Sequence, residues 1–302
     1  MIGDVSAQQE ELRRLAAERH AVILAHNYQR PEVQDAADFV GDSLELARKA
    51  AATDARAILF CGVHFMAETA HILSPDKMVL MPDLRAGCPM ANMATADGLR
   101  ALKAHHPGAA VVAYVNTSAD VKAEADVCCT SANAAQIVAR FPADQPIIFV
   151  PDRNLGAWVS KLLGREMILW QGWCHVHDNL RADEVRALQE RYPGARVMAH
   201  PECRAEVLEL ADAVLSTSGM LRWPGDDGAD AYIVVTESGL LHRLQLLYPE
   251  RTFVPIRSAY CPNMKLTTLD KAVAALRDGL NEVSVAPIIR ERALRAVTRM
   301  LQ

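Results

Sequence analysis

The chain has 302 residues, 51% of them hydrophobic, enough for one sizeable core or several small ones, and its length alone suggests about two domains. A net charge of −5, from 32 Lys+Arg against 37 Asp+Glu, is interspersed without a basic stripe, so nothing argues for a nucleic-acid partner. No apolar run approaches the roughly 20 residues of a membrane span, and the opening "MIGDVSAQQEELRRLAAERH" is polar and helix-forming rather than signal-like, so we expect a cytoplasmic protein that enters no membrane.

In chain order, the strand candidates are "AVILAHN" (21–27), "AILFCGV" (57–63), "MVLMPD" (78–83), "AVVAYVN" (110–116), "PIIFVPD" (146–152), "EMILWQG" (166–172), "ARVMAHP" (195–201), "YIVVTES" (232–238) and "TFVPIRS" (252–258). They are continuous apolar runs rather than alternations, as expected for parallel strands covered on both faces. Ala/Leu/Arg-rich segments such as "SLELARKAAA" and "NAAQIVARF" lie between them and read as crossover helices. The fold class is α/β.

The pattern repeats. Polar triplets end three strands at "HNY" from His26, "YVN" from Tyr114 and "HPE" from His200, spaced by 88 and 86 residues. Ser43, Ser131 and Thr217 stand in turns before helices at spacings of 88 and 86, and Cys88, Cys174 and Cys261 follow third strands at spacings of 86 and 87. Three landmarks with one period imply three homologous three-layer αβα units with parallel sheets, closed about a pseudo-threefold axis. We place them at 1–105 (with the N-terminal helix), 106–192 and 193–264, with a C-terminal helical segment over 265–302 packing back on the first unit.

Functional groups of open α/β sheets collect beyond the carboxyl ends of strands, where all three landmark sets fall. In "QGWCHVHD", Cys174, His175 and His177 by themselves suit a small zinc site or a nucleophilic cysteine with its base. The period argues instead that Cys174 is one arm of a three-cysteine site with Cys88 and Cys261, whose loops lack those histidines, leaving His175 and His177 as packing or supporting groups. Soft thiolates suit zinc or iron–sulfur centres. A structural zinc closes with four ligands, often from two C-x₂-C pairs, and no such pair is present. Three ligands would leave one iron of a [4Fe–4S] cluster open as a Lewis acid. The alternative is three buried structural cysteines, against which stand the shared register and the neighbouring Gly87, Pro89, Gly172 and Pro262. Cys61, Cys128, Cys129 and Cys203 have no periodic mates and read as core residues or as supports behind the site. With seven cysteines, an odd number at long spacings, no disulfide framework is expected.

Ser43, Ser131 and Thr217 read as helix N-caps. Three helix starts around one cavity also predict a strongly anionic substrate. The triplets supply His26, Tyr28, Tyr114, Asn116, His200 and Glu202, of which the two His, two Tyr and one Glu form an acid/base set, with Tyr28, acidified by a nearby cluster, and Glu202 as the candidates for proton transfer.

The stretches "LAHNYQRPEVQDAADFVGDSLELA", "FCGVHFMAETA", "PDLRAGCPMA", "AYVNTSADVKAEADVCCTSANA", "QGWCHVHD", "HPEC", "STSGM" and "SAYCPNMK" resemble the motifs of the quinolinate synthase family over nearly the whole chain. The resemblance implies an oxygen-sensitive [4Fe–4S] cluster on Cys88, Cys174 and Cys261, with one open iron. It implies condensation of iminosuccinate with dihydroxyacetone phosphate to quinolinate, phosphate and water in NAD biosynthesis, and a functional link to an enzyme producing iminosuccinate. Substrate contacts would fall on His26, Ser43, Tyr114, Asn116, Ser131, His200, Glu202 and Thr217, with catalytic roles for Tyr28, Glu202 and His200. Some family members carry C-x₂-C-x₂-C at the last ligand, whereas "CPNMKLT" here has no further cysteine, so thiol–disulfide regulation is not expected there. Three rivals remain on the residues alone: a three-cysteine hydro-lyase for another polycarboxylate, an iron–sulfur carrier, and a zinc hydrolase.

Overall fold

A computed structural model describes residues 5–302; the first four residues of the polar N-terminal stretch lie outside the described residues. The first unit runs α1 (Val5–Glu18), β1 (Ala21–His26), α2 (Pro31–Ala36), β2 (Phe39–Gly41), α3 (Ser43–Ala52), β3 (Ala57–Cys61), α4 (His64–Leu73) and β4 (Met78–Leu80). After α5 (Ala96–His105), the second continues through β5 (Ala110–Tyr114), α6 (Ala119–Ala123), β6 (Val127–Cys129), α7 (Ala134–Ala139), β7 (Ile147–Val150), α8 (Arg153–Leu163) and β8 (Ile168–Leu169). After α9 (Ala182–Arg191), the third has β9 (Arg196–Ala199), α10 (Ala205–Leu208), β10 (Ala213–Val214), α11 (Thr217–Asp227), β11 (Ala231–Val235), α12 (Leu240–Leu247) and β12 (Thr252–Pro255), and the chain ends in α13 (Leu269–Asp278) and α14 (Pro287–Leu301).

The strands form three four-stranded sheets in the orders β2-β1-β3-β4, β6-β5-β7-β8 and β10-β9-β11-β12. All pairings within them are parallel. One order in three consecutive sheets is the predicted repeat made visible. Eight of the nine apolar runs contain a whole strand, trimmed by one to five residues in all, and β11 starts one residue before the ninth and ends three residues short of its end. The edge strands β2, β6 and β10, only two or three residues long, were not foreseen.

A shared side chain anchors those edges. Asp38 Oδ2 accepts the backbone N–H of Ile23, Asp126 Oδ2 that of Val111, and Asp212 Oδ2 that of Val197, each at 2.7 Å. In the reverse direction, the aspartates' own N–H groups donate to the Ile23, Val111 and Val197 carbonyls. Each carboxylate thus satisfies a central-strand N–H just before the edge strand begins, where the ladder has no backbone partner to offer.

One apolar core extends from a face of the first sheet through the second unit to a face of the third. A second core lies under α1, α2 and α13, and a third backs the outer face of the third sheet with Val185 of α9 and Val207 of α10. α13 packs on α1, whereas α14 reaches past the first unit's α4 to α6 and β6 of the second. Between them, Val283 N–H donates to Val79 O and Met81 N–H to Asn281 O, so the connection runs antiparallel along β4. The tail therefore clamps the first unit to the second as well as covering the first. Among the described residues, no helix is long and apolar enough to cross a membrane, and all seven cysteines are free thiols.

Candidate active site

The twelve residues singled out in the sequence converge. His26, Tyr28, Ser43, Cys88, Tyr114, Asn116, Ser131, Cys174, His200, Glu202, Thr217 and Cys261 all line one cavity of about 720 Å³, including its mouth. Each unit brings its share from the carboxyl end of its sheet, as open α/β sheets do.

Cys88, Cys174 and Cys261 are half-buried, while Cys61, Cys128, Cys129 and Cys203 are fully buried in the core. Each cavity cysteine precedes a single 3₁₀ turn: Met90–Asn92, His177–Asn179 and Met264–Leu266. The free N–H groups at these turns point back at sulfur, from Met90 and Ala91 to Cys88, from His177 to Cys174, and from Asn263 and Met264 to Cys261. Burial nonetheless dominates, pushing Cys88 up to about 12, Cys174 well above the ordinary thiol value and Cys261 upward. A thiol so placed ionises when a cation takes its charge, and the amides then steady the thiolate.

The loops carrying two of these cysteines hang from buried carboxylates. Asp152, the N-cap of α8, accepts from Leu155 N–H and also from Cys174 N–H at 3.2 Å. Glu237 accepts Cys261 N–H at 3.2 Å and Gly239 N–H at 2.8 Å, and pairs with Lys265 at 2.9 Å. Gly172 is required before Cys174, because a Cβ there would lie 2.5 Å from Pro151 O.

His26 and His200 are built alike. The N–H of Tyr28 donates to His26 Nδ1 at 3.1 Å, and that of Glu202 to His200 Nδ1 at 3.4 Å. A ring accepting at Nδ1 carries its proton on Nε2, and His200 Nε2 lies 3.3 Å from Ser131 Oγ. Burial lowers both rings to about 3, so both are neutral N–H donors at pH 7.

Glu202 is the hub. Tyr114 Oη donates to Oε1 at 2.7 Å, and His177 Nδ1 lies 2.7 Å from Oε2. Burial alone would raise this carboxyl, but His200, His177 and the bonds from His177 and Tyr114 outweigh it and hold it well below the usual range. In the protein alone, burial first, then the Glu202 charge, pushes Tyr28 well above the ordinary phenol value.

Two of the three predicted N-caps shift by one residue: Asp42, not Ser43, caps α3 in a full capping box with Glu45, and Ser216, not Thr217, caps α11. The cap position of α7 is Asn133, without a side-chain cap hydrogen bond, so Ser131, two residues before it, is not a cap either. In α3 and α11 the carboxylate or hydroxyl one position earlier already takes the first free N–H groups. This frees Ser43 and Thr217, at the first helical position, to face the cavity. Asn27 Nδ2 donates to Thr217 Oγ1 at 3.0 Å and Ser218 Oγ to Asp42 Oδ2 at 2.6 Å, which ties the first unit to the third.

Sequence reasoning undervalued His177. It lines the cavity together with His175, stacks on His200 at 4.6 Å between ring centroids, and reaches Cys174 Sγ at 3.3 Å. Its Nε2 lies 2.9 Å from Thr236 Oγ1. The local signal "CHVH" was present, but the threefold period, which has no histidine in the other two slots, argued it away.

A family model described as Quinolinate synthetase A protein matches residues 10–302. A quinolinate synthase of Desulforudis audaxviator (strain MP104C) is 52% identical over 96% of this chain and 96% of its own. That of Methanoregula boonei is 52% identical over 99% of both chains, and that of Aquifex aeolicus (strain VF5) 50% identical over 99% of this chain and 95% of the relative. With the whole repeat matched and every motif residue gathered in one cavity, the chain belongs to the quinolinate synthase family.

Proposed function

We propose that this enzyme condenses iminosuccinate with dihydroxyacetone phosphate to quinolinate, phosphate and water, a step of de novo NAD biosynthesis, in the cavity between its three units. The observation that carries this reading is the convergence of twelve residues from three sheets on one cavity, each unit contributing a thiol and polar groups. The donor set fits a [4Fe–4S] cluster: three half-buried thiols, one per unit, under the amides of their own 3₁₀ turns, and no fourth cysteine lining the cavity. Cys88, Cys174 and Cys261 would hold it, and when bound it would supply a Lewis-acidic iron for the dehydration.

The protein's own groups suit the rest of the chemistry. Two carboxylates on one substrate and a phosphate on the other call for donors that need not be charged. His26 and His200 offer neutral Nε2–H, Ser43, Ser131 and Thr217 offer hydroxyls, and α3 and α11 aim their N-termini at the cavity. Asn116 Oδ1 is buried without a partner and is available to an imine or enamine N–H. Glu202, held ionised, accepts a proton from carbon or nitrogen. Tyr28, held protonated, returns one to a departing oxygen. Val63, Phe65 and Met66 close the wall against water. An imine hydrolyses in water, which favours supply by an iminosuccinate-producing enzyme nearby, and free thiols with such a cluster favour the cytoplasm.

The test is an anaerobic assay of the iron-loaded protein, with quinolinate detected from the two substrates and Cys174→Ala alongside. Wild-type turnover lost in the variant supports the reading; undiminished turnover overturns the ligand assignment. One observation favours a second reading. Ligand atoms of Cys174, His177 and Glu202 lie within 4.8 Å of one another, as a single divalent cation would need. Anaerobic metal analysis separates the two: zinc without iron or acid-labile sulfide selects the second.

A further inference from the structure

Glu202 lies in the turn after β9, and the second unit grips its side chain through Tyr114 and His177. The same unit also grips its backbone. Asn154, at the start of α8, donates from Nδ2 to Glu202 O at 3.0 Å and to Asp178 Oδ1 at 2.8 Å. Both amide hydrogens are thereby used. Turning the amide over would set its oxygen against a carbonyl and a carboxylate, neither of which has a proton to give, so its orientation is fixed.

Asp178 closes the stretch "CHVHD" and is 4% exposed. Its Oδ2 accepts from Arg204 Nη2 at 2.9 Å, and Arg153 Nη2 lies 3.2 Å from Oδ1 and 3.4 Å from Oδ2. Its own N–H donates to Cys174 O at 2.9 Å. Arg204 stands two residues past Glu202, so one carboxylate holds the turn on both sides of that residue: at its carbonyl through Asn154, and beyond it through Arg204. Asp152 fixes the other end, because the N-cap carboxylate that takes Leu155 N–H and Asn154 N–H also takes Cys174 N–H. Asn154 and the Cys174 loop therefore hang from the same two carboxylates.

The third unit treats the first in the same way. Lys265 stands four places after Cys261, as Asp178 does after Cys174, and its Nζ donates to Tyr28 O. Tyr28 and Glu202 are the third members of "HNY" and "HPE" and the two groups proposed to move protons. In both, the backbone carbonyl is held from the cysteine turn of a neighbouring unit. We infer that Asn154 and Asp178 are a positioning pair that fixes Glu202 relative to the Cys174 turn, across the boundary between the second and third units, with Lys265 as the counterpart for Tyr28. The role of Glu202 rests on the proposed function; the tether does not. A base acts only while its oxygen stays within hydrogen-bond reach of the proton it takes, and a displacement of about 1 Å costs about 10²-fold in rate.

The test uses iron-loaded protein. Asn154→Ala removes the tether, keeps a good helix former in α8 and leaves Asp178 its two arginines, so the variant folds. It should lower kcat by about 10–10²-fold, with KM for both substrates within about twofold of wild type and the cluster absorption unchanged. The double variant Asn154→Asp/Asp178→Asn reverses the bond between the two positions, so the pair survives, yet position 154 then has no proton for Glu202 O. Its kcat should stay as low as that of Asn154→Ala while its melting temperature returns toward wild type. Wild-type kcat in either variant, a raised KM at unchanged kcat, or loss of the cluster in Asn154→Ala would overturn the positioning role. A second readout needs no turnover. The Glu202 and Cys203 amides should exchange hydrogen about fivefold faster in Asn154→Ala, the worth of one net hydrogen bond, while the later amides of α8 are unchanged. Unchanged exchange at Glu202 and Cys203 overturns the inference whether or not quinolinate is made. Faster exchange in the variant, beside a wild type that makes no quinolinate, keeps the tether and sinks the proposed function instead.

Discussion

Glu202 accepts from Tyr114 and His177 at 2.7 Å each, so both carboxylate oxygens are engaged from opposite sides. Replacing it by glutamine keeps the volume and one acceptor but removes the charge that its proposed role as a base requires. We expect Glu202→Gln to fold and to bind iron and sulfide at wild-type stoichiometry while kcat falls by about 10²–10⁴-fold, the usual worth of a general base. The measurement is iron and sulfide content beside anaerobic turnover, and a variant that loses the iron would make Glu202 a structural residue instead. At this scale the sequence named the cavity's periodic residues because a shared period carries them into one place. It missed what the period does not repeat. Thr236 occupies a slot filled by Gly62 and Pro151 in the other units, His177 has no counterpart, and Asp152 and Glu237 correspond to Val63 in the first unit. Departures from symmetry hold these groups, and a repeat search averages them away.

Among the secondary-structure elements, long apolar strands were legible because four or five consecutive buried residues leave a run that only a covered parallel strand explains. β2, β6 and β10 are too short for any periodicity to show. Their signal was the dipeptide Ala-Asp at 37–38, 125–126 and 211–212, which recurs at spacings of 88 and 86 and precedes each edge strand. The aspartate's bond to the central strand gives that dipeptide its physical role. Removing it leaves one N–H of a central strand without its charged acceptor, at a site open enough for water to compensate in part. Asp38→Ala, Asp126→Ala and Asp212→Ala should each cost about 1 kcal/mol of unfolding free energy, and because the three lie in separate sheets the costs should add in the triple variant. Denaturant titration of the single and triple variants decides this. The Asp212 variant should lose slightly more, since Asp212 also pairs with Arg196 at 2.7 Å. A triple variant no less stable than the singles would mean that the edges are held by their backbone pairing alone.

On the scale of the whole molecule, the three cysteines belong to three units that touch one another through side chains at the cavity rim: Asn27 on Thr217, Asp42 on Ser218, Tyr114 on Glu202 and His200 on Ser131. The tail is the other tie, with Asn133 Nδ2 donating to Met300 O and Arg292 pairing with Glu124, so that α14 locks the second unit to the first. A group bound by one ligand from each unit would cross-link all three at the centre, and anything that binds only the assembled state stabilises it by mass action. It follows that Cys88→Ser, Cys174→Ser and Cys261→Ser should lower the anaerobic unfolding temperature of iron-loaded protein by similar amounts, although the mutated residues lie in different units. The same three substitutions should have little effect on protein stripped of iron, where a buried thiol and a buried hydroxyl of nearly equal size replace each other. Calorimetry of loaded and stripped samples supplies both halves of the comparison. Were one cysteine variant to keep the loaded protein's melting temperature, that unit would not be bridged through its cysteine, and the threefold closure would rest on the rim contacts and the α14 clamp alone.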